Sequence, residues 1–171
     1  LYGSYGRAET MTLLVPNAYG GGPGPMGEDS KLVETLSEKG LPQQLAQQVY
    51  ASFSTYWGNQ PGHSGPVYLG AIICFFFIFG MVYVKSWHKW WIISVTLLAL
   101  LMSLGKNLAG FNTFLFNYLP MYNKFRAPAM ILVIPQLTFC MLSVMALQQA
   151  FFSEVNKTEL WKKLKLSGII A

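Results

Sequence analysis

The sequence has very little negative charge, and what it has lies outside its most apolar part. Only seven of the 171 residues are acidic, and none of these seven lies between Glu38 and Glu154. Hydrophobic residues make up 53% of the chain and charged residues only 11%. This composition is too apolar for the surface of a typical soluble domain. We therefore expect an integral membrane protein.

Cysteine and histidine are also scarce, which excludes several kinds of site. Cys74 and Cys140 both lie in apolar stretches and form no CxxC or Cys/His spacing. His63 has no cysteine, carboxylate or second histidine near it in the sequence. We therefore expect neither a disulfide framework nor a bound metal, and no motif indicates a cofactor.

The net charge of +5 is not arranged as in a nucleic-acid-binding protein. Most of the basic residues are spread along the chain, whereas such proteins cluster them on one face or within a recognisable motif. We expect no nucleic-acid partner. The first residues, LYGSYGRAET, contain no initiator methionine and no signal sequence. We expect the chain to be an internal portion of a longer polypeptide, whose remainder is one of its partners.

Three segments are apolar enough to predict transmembrane helices. Residues 66–84 contain 19 positions without a charge, close to the ~20 residues that cross a bilayer. Residues 90–104 are shorter but begin with two tryptophans, which suit the membrane interface. Residues 128–148 begin with a proline and carry Pro135, which predicts a kink.

The connecting segments predict the orientation. Residues 85–89 and the tail, 149–171, lie on one side and hold six lysines, against three basic residues in the loop 105–127 on the other. Since lysine and arginine are retained in the cytoplasm, the tail is predicted inside. The fold class is thus an all-α, polytopic membrane fragment with about three transmembrane helices. The predicted location is the bacterial cytoplasmic membrane.

Residues 1–65 are predicted to form an extracytoplasmic loop and a cap of short helices. Repeated glycine and proline in residues 16–27 argue against regular structure there. Two amphipathic helices are predicted after it, one ending at Lys39 and one starting near Pro42.

An aromatic and polar stretch precedes the first predicted span and is a candidate sugar or headgroup platform. A tryptophan or tyrosine ring can stack on a pyranose, while amide and imidazole groups supply hydrogen bonds. The alternative is that the aromatic rings only anchor the helix at the interface. The residues of this platform are Tyr56, Trp57, Asn59, Gln60 and His63.

The loop 105–127 is a second candidate site because its cations have no acidic residue within the loop to pair with. Lys106, Lys124 and Arg126 are candidates for binding a substrate phosphate, which the planar guanidinium of Arg126 suits particularly well. Pro128 starts a helix two residues later, and a helix N-terminus also favours an anion. The alternative is simple attraction to anionic membrane lipids.

Three strings make the chain resemble a known family. AETMTLLVPNAYGGG (8–22), YWGNQPGHSGPVYLGAI (56–72) and YNKFRAPAMILVIPQL (122–137) resemble blocks of the large YfhO-type bacterial membrane proteins, which are regarded as similar to GT-C glycosyltransferases. The resemblance implies transfer of a sugar from a polyprenyl-phosphate carrier to an extracytoplasmic acceptor. It also implies that the catalytic carboxylate lies in an outer loop absent from this chain. Glu9 is the one carboxylate inside a resembling block, but it is not assigned as the base.

Two other functions stay open at this point. The same cations would serve a non-enzymatic transporter or flippase-like subunit that binds a lipid headgroup. They would equally serve a structural membrane subunit whose basic loop docks on lipid. Membrane lipids are an expected partner in each case, and a polyprenyl-phosphate-linked sugar in the first.

Overall fold

The computed structural model describes residues 3–25, 54–58, 67–124, 127–152 and 157–170, with single positions between 31 and 48. This part of the chain is mostly helical. Its α-helices are α1 (Ala71–Tyr83), α2 (His88–Ser103), α3 (Ala109–Tyr118), α4 (Val133–Phe152) and α5 (Lys157–Ile170). Short 3-10 helices span Ala8–Leu13, Gly105–Leu108, Tyr122–Lys124 and Pro128–Leu132.

A small antiparallel sheet accompanies the helices. Strand β1 (Gly20–Pro25) pairs with β2 (Ser54–Tyr56), with Gly20 opposite Tyr56 and Pro25 opposite Ser54. The prediction that glycine and proline exclude regular structure from residues 16–27 was therefore wrong. Proline and glycine are tolerated in a short edge strand of irregular register such as this one. The fold is mostly helical, with this sheet as its exception.

Helix α4 lies at the centre of the helix packing and contacts both α1 and α2. Buried side chains from these helices form the core: Phe77, Phe79, Tyr83, Val84, Ile92, Leu142 and Ala146. The rings of Phe77 and Phe139 stack at a centroid distance of 3.9 Å. Helix α5 packs against α1, and its Leu160 and Leu164 reach the same core.

Two hydroxyl contacts join the helices inside this apolar core. The Thr96 hydroxyl of α2 donates to the Thr138 hydroxyl of α4 at 2.7 Å. The Ser143 hydroxyl of α4 donates to the Ile73 carbonyl of α1 at 3.1 Å. Small hydroxylated residues at such contacts let helices approach closely and satisfy buried polar atoms.

The helices that are long and apolar enough to cross a membrane are fewer than the three that the sequence predicts. Among the described residues, Pro128–Phe152 is the one helix long and apolar enough to cross a membrane, with 25 residues and a mean hydropathy of 2.2. His88–Ser103 and Gly105–Tyr118 pass the same test together, but a bend of 107° separates them. Helix α1, Ala71–Tyr83, has only 13 residues. By length and composition the described part has one such helix, or two if the bent pair is one span.

The predicted segments differ from the observed helices in several places. The loop 105–127 contains a ten-residue helix, α3. Near Pro135, where a kink is predicted, the helix changes from 3-10 to α geometry at Val133, so that Pro135 lies in the first turn of α4. A proline is tolerated there because first-turn N–H groups have no partner within the helix. Of the two short cap helices, all but isolated positions lie outside the described residues.

Candidate functional site

The N-terminal segment meets three distant parts of the chain at one end of the helices. The Tyr5 N–H donates to the Ser103 carbonyl at 2.9 Å, which joins the N-terminal segment to the end of α2. The Ala129 N–H donates to the Gly3 carbonyl at 3.3 Å, which joins it to the start of α4. The Leu69 N–H donates to the Leu13 carbonyl at 3.1 Å, just before α1. We call this layer, residues 3–13, 54–58, 103–108 and 127–129, the polar cap.

A buried carboxylate stabilises the polar cap from within. Glu9 is only 1% exposed. Its Oε2 accepts the Gly6 N–H at 2.6 Å, and its Oε1 accepts the Tyr56 hydroxyl at 2.9 Å. A buried carboxylate is costly unless hydrogen-bonded in this way. Glu9 therefore ties β2 to the N-terminal segment across 47 residues of sequence.

Gly58 lies directly over the contact between Glu9 and Tyr56. A Cβ atom at this position would collide with the Tyr56 hydroxyl and with Glu9 Oε1. Any larger residue would therefore have to displace the pair, which explains a glycine here. The close cover over the carboxylate also argues that Glu9 acts in the architecture of the cap rather than on a substrate.

The hydroxyls of Tyr5 and Thr12 extend the hydrogen-bond network around Glu9. The Tyr5 hydroxyl is 2.5 Å from the Thr12 hydroxyl, which in turn donates to the Glu9 carbonyl at 2.5 Å. Burial raises the pKa of the Tyr5 phenol, and the nearby negative charge of Glu9 raises it further, although the Thr12 contact acts in the opposite direction. Tyr5 is therefore held as a neutral hydrogen-bonding phenol at neutral pH.

Side chains and backbone of the loop after α2 complete the polar cap. The Lys106 N–H donates to the Ser4 hydroxyl at 2.9 Å, and the Asn107 amide donates to the Tyr5 carbonyl at 2.7 Å. Arg7 donates through Nε and Nη2 to the Asn107 carbonyl, at 3.1 and 2.8 Å. Since the backbone of Lys106 is fixed from both sides, its exposed ammonium projects from a defined position.

Lys124 lies on a segment that is anchored to the same end. The Tyr122 hydroxyl donates to Asn112 Oδ1, and the Asn112 amide reaches the Leu101 carbonyl at 3.4 Å. Burial raises the pKa of the Tyr122 phenol. Lys124 itself is exposed, and neither it nor Lys106 forms an ion pair with any residue that the structure describes. Two cations at this end thus remain available to an anion.

The structure distinguishes the two aromatic residues of the predicted platform. Tyr56 is buried and engaged with Glu9, whereas Trp57 is 71% exposed. Of the two rings, that of Trp57 is the one presented at the surface. Asn59, Gln60 and His63 lie outside the described residues, as does Arg126. Sequence reasoning did not foresee the pairing of Tyr56 with Glu9, because nothing local indicates a contact across 47 residues.

The opposite end of the helices has a different character. The Gln149 side chain accepts the Lys85 N–H at 3.2 Å and donates to the Tyr83 carbonyl at 3.3 Å, which joins the ends of α1 and α4. Glu159 lies 3.1 Å from Lys163 and 3.7 Å from Lys85. Its hydrogen bond with Lys163, and then the charge of Lys85, lower the pKa of the Glu159 carboxyl. This end thus carries an ion-paired carboxylate, whereas Lys106 and Lys124 at the other end form no ion pair with a described residue.

Comparison with known proteins identifies no relative. No family model matches the chain, and neither a curated protein nor a solved structure matches it. In the described residues no group of three or more histidine, cysteine, aspartate or glutamate side chains is placed to hold a metal ion.

Proposed function

We propose that the chain is part of a YfhO-type, GT-C-like membrane glycosyltransferase that moves a sugar from a polyprenyl-phosphate carrier to an extracytoplasmic acceptor. The supporting observation is that the polar cap, the exposed ring of Trp57 and the exposed cation Lys106 belong to one end of an apolar helix bundle. Lys124 extends from a segment anchored to that end. A lipid-linked sugar presents a sugar ring and a phosphate, and this end offers an exposed aromatic ring for the first and exposed cations for the second.

In the proposed topology, helices α1, α2 and α4 all cross the bacterial cytoplasmic membrane, with the polar cap outside. The apolar side chains Ile72, Leu97 and Val144 are exposed on the described chain, as expected of helices that face lipid. Cytoplasmic placement of Lys85, Lys89 and the lysines of α5 agrees with the retention of positive charge inside.

The proposed reaction is a displacement at the anomeric carbon. A carboxylate elsewhere in the protein takes the proton of an acceptor hydroxyl, whose oxygen attacks the anomeric carbon. The bond from that carbon to the phosphate oxygen breaks, and the lipid phosphate leaves with the electron pair. Lys106, Lys124 and Arg126 stabilise the leaving phosphate, because cations placed where charge develops lower the barrier.

A second candidate function is that this end binds a lipid headgroup without performing chemistry. One observation favours it: Glu9, the carboxylate of the polar cap, is buried, and each of its oxygens accepts a hydrogen bond. The described cap therefore presents cations and an aromatic ring but no accessible base. A transporter-like or structural subunit requires only that arrangement.

The experiment compares variants of the full-length protein in membranes supplied with a polyprenyl-phosphate-linked, radiolabelled sugar. Arg126→Ala is expected to cost about 2–4 kcal/mol in kcat/KM, as for loss of a single donor to a developing oxyanion. Arg126→Lys should also lower activity, because an ammonium cannot reproduce the bidentate fork. Lys162→Ala is the matched control, since Lys162 is exposed on α5, near the opposite end.

The alternatives give different results in this assay. Simple lipid docking predicts that lysine replaces Arg126 freely and that each lost cation costs about 1 kcal/mol of membrane affinity. Wild-type transfer by both Arg126 variants would refute the phosphate role of this residue. Bound lipid with no transfer by the wild-type protein would instead support the headgroup-binding function.

A further inference from the structure

An apolar cleft of about 450 Å³ lies beside the segment that carries Lys124. It is formed by the end of α2, the turn after α3 and the first residues of the helix Pro128–Phe152. A volume of this size is within the range of small-molecule binding sites, roughly 300–1,000 Å³. The lining residues that matter to the argument are Met102, Leu119, Tyr122, Met130, Ile131 and Val133.

The cleft offers almost nothing to a polar ligand. Its side chains are apolar except for Tyr122, and the hydroxyl of Tyr122 already donates to Asn112. At its mouth Met130 is 73% exposed and Val133 is 62% exposed. The cleft therefore suits an apolar occupant, which gains free energy by leaving water and needs no hydrogen-bonding partner.

The surroundings of the cleft indicate which hydrocarbon. Lys124 lies in the sequence between the lining residues Tyr122 and Ala127, and its exposed ammonium has no acidic partner among the described residues. Val133 and Met130, at the mouth, belong to the helix that is long and apolar enough to cross a membrane. In the proposed topology the cleft thus opens towards acyl or prenyl chains, next to a cation that suits an anionic headgroup.

We propose that this cleft binds the hydrocarbon chain of a phosphate-bearing lipid, with the phosphate at Lys124. The identity of that lipid as a polyprenyl-phosphate carrier rests on the proposed function, whereas occupancy of the cleft by its chain does not require sugar transfer. The chain contacts Ile131 and Leu119 and enters past Met130. The cleft therefore recognises part of the hydrocarbon chain of the lipid, while Lys124 recognises its charge.

The test uses the purified full-length protein in detergent and a polyprenyl phosphate that carries a photoreactive diazirine in its chain. After irradiation, mass spectrometry is expected to find the label on cleft residues such as Met130 and Leu119. Excess polyprenyl phosphate should compete, whereas inorganic phosphate at the same concentration should not. Ile131→Trp fills the cleft and should weaken polyprenyl phosphate binding by about tenfold or more, equivalent to about 1.4 kcal/mol.

Val144→Trp is the matched control, because Val144 is exposed on the same helix but does not line the cleft. It should bind the lipid as the wild type does. Label found only on other apolar surfaces, or on a segment of protein that fills the cleft, would overturn the proposal. So would unchanged binding by an Ile131→Trp protein whose elution profile matches that of the wild type.

The two proposals fail in different ways. Label in the cleft together with no sugar transfer by the wild type supports the lipid cleft and contradicts the transferase. Normal transfer by Ile131→Trp with an unchanged KM for the lipid-linked sugar contradicts the cleft and leaves the transferase standing.

Discussion

Tyr56→Phe removes one hydroxyl from the centre of the polar cap and is predicted to loosen the whole cap. Tyr56 is buried, so phenylalanine fits the same space, but Glu9 Oε1 loses the donor at 2.9 Å. Hydrogen bonds to charged groups contribute about 1.5–3 kcal/mol. Since about 1.4 kcal/mol corresponds to a factor of ten, opening of the cap should become about 10- to 150-fold more frequent.

Amide hydrogen exchange of Gly6 and Tyr5 measures this opening, because both N–H groups are hydrogen-bonded within the polar cap. Both amides should exchange faster in Tyr56→Phe by the factor given above. Tyr118→Phe is the matched control, since it makes the same chemical change at a side chain that is 75% exposed. If the two variants exchange alike, the buried contact between Glu9 and Tyr56 does not stabilise the cap.

Two further predictions concern the helix packing. Gly80→Ala should destabilise the protein by about 1–3 kcal/mol, because its new Cβ would lie 2.8 Å from Leu142 Cγ and 2.9 Å from the Leu142 carbonyl oxygen. Gly110→Ala in α3 is the control, because a Cβ atom there meets no atom within 4 Å. It should stabilise the protein by about 0.5–1 kcal/mol, measured by thermal unfolding. If both variants change the stability equally, α1 and α4 do not approach as closely as Gly80 indicates. Because the folded-state pKa of Glu159 is lowered, its contribution to stability is present above the ordinary value of 4.5 and is lost as pH falls through the lowered value. Unfolding temperatures measured from pH 7 to pH 3 should therefore fall less in Glu159→Gln than in the wild type, and identical profiles would refute the ion pairs.

The positions of the main helices could be predicted from charge-free apolar length, but their ends could not. The first predicted helix begins at Ala71 rather than at residue 66, because Leu69 pairs with Leu13 and Gly70 has a φ of +102°. The hydrogen bond of Leu69 depends on a partner segment more than fifty residues away. Apolar length alone does not reveal such a partner.

The sequence names individual candidate residues but not the contacts that surround them. Lys106, Lys124 and Trp57 are exposed, and their roles at a binding site stay predictions. The burial of Glu9 was not foreseen, because a carboxylate in a polar segment is ordinarily solvated. The apolar cleft also escaped prediction, since the sequence gives no sign that Leu119 and Ile131 line one cavity.

The proposed topology is tested most directly by the side of the membrane on which it places the polar cap. Cys74 and Cys140 are first replaced by serine, and single cysteines are then introduced in the full-length protein at Thr113, which is exposed in α3, or at Ser86, near the opposite end. An impermeant thiol reagent applied to intact cells should label the cysteine at position 113, whereas the cysteine at position 86 should react only after permeabilisation. Labelling of position 86 from outside, with position 113 protected, would contradict the account.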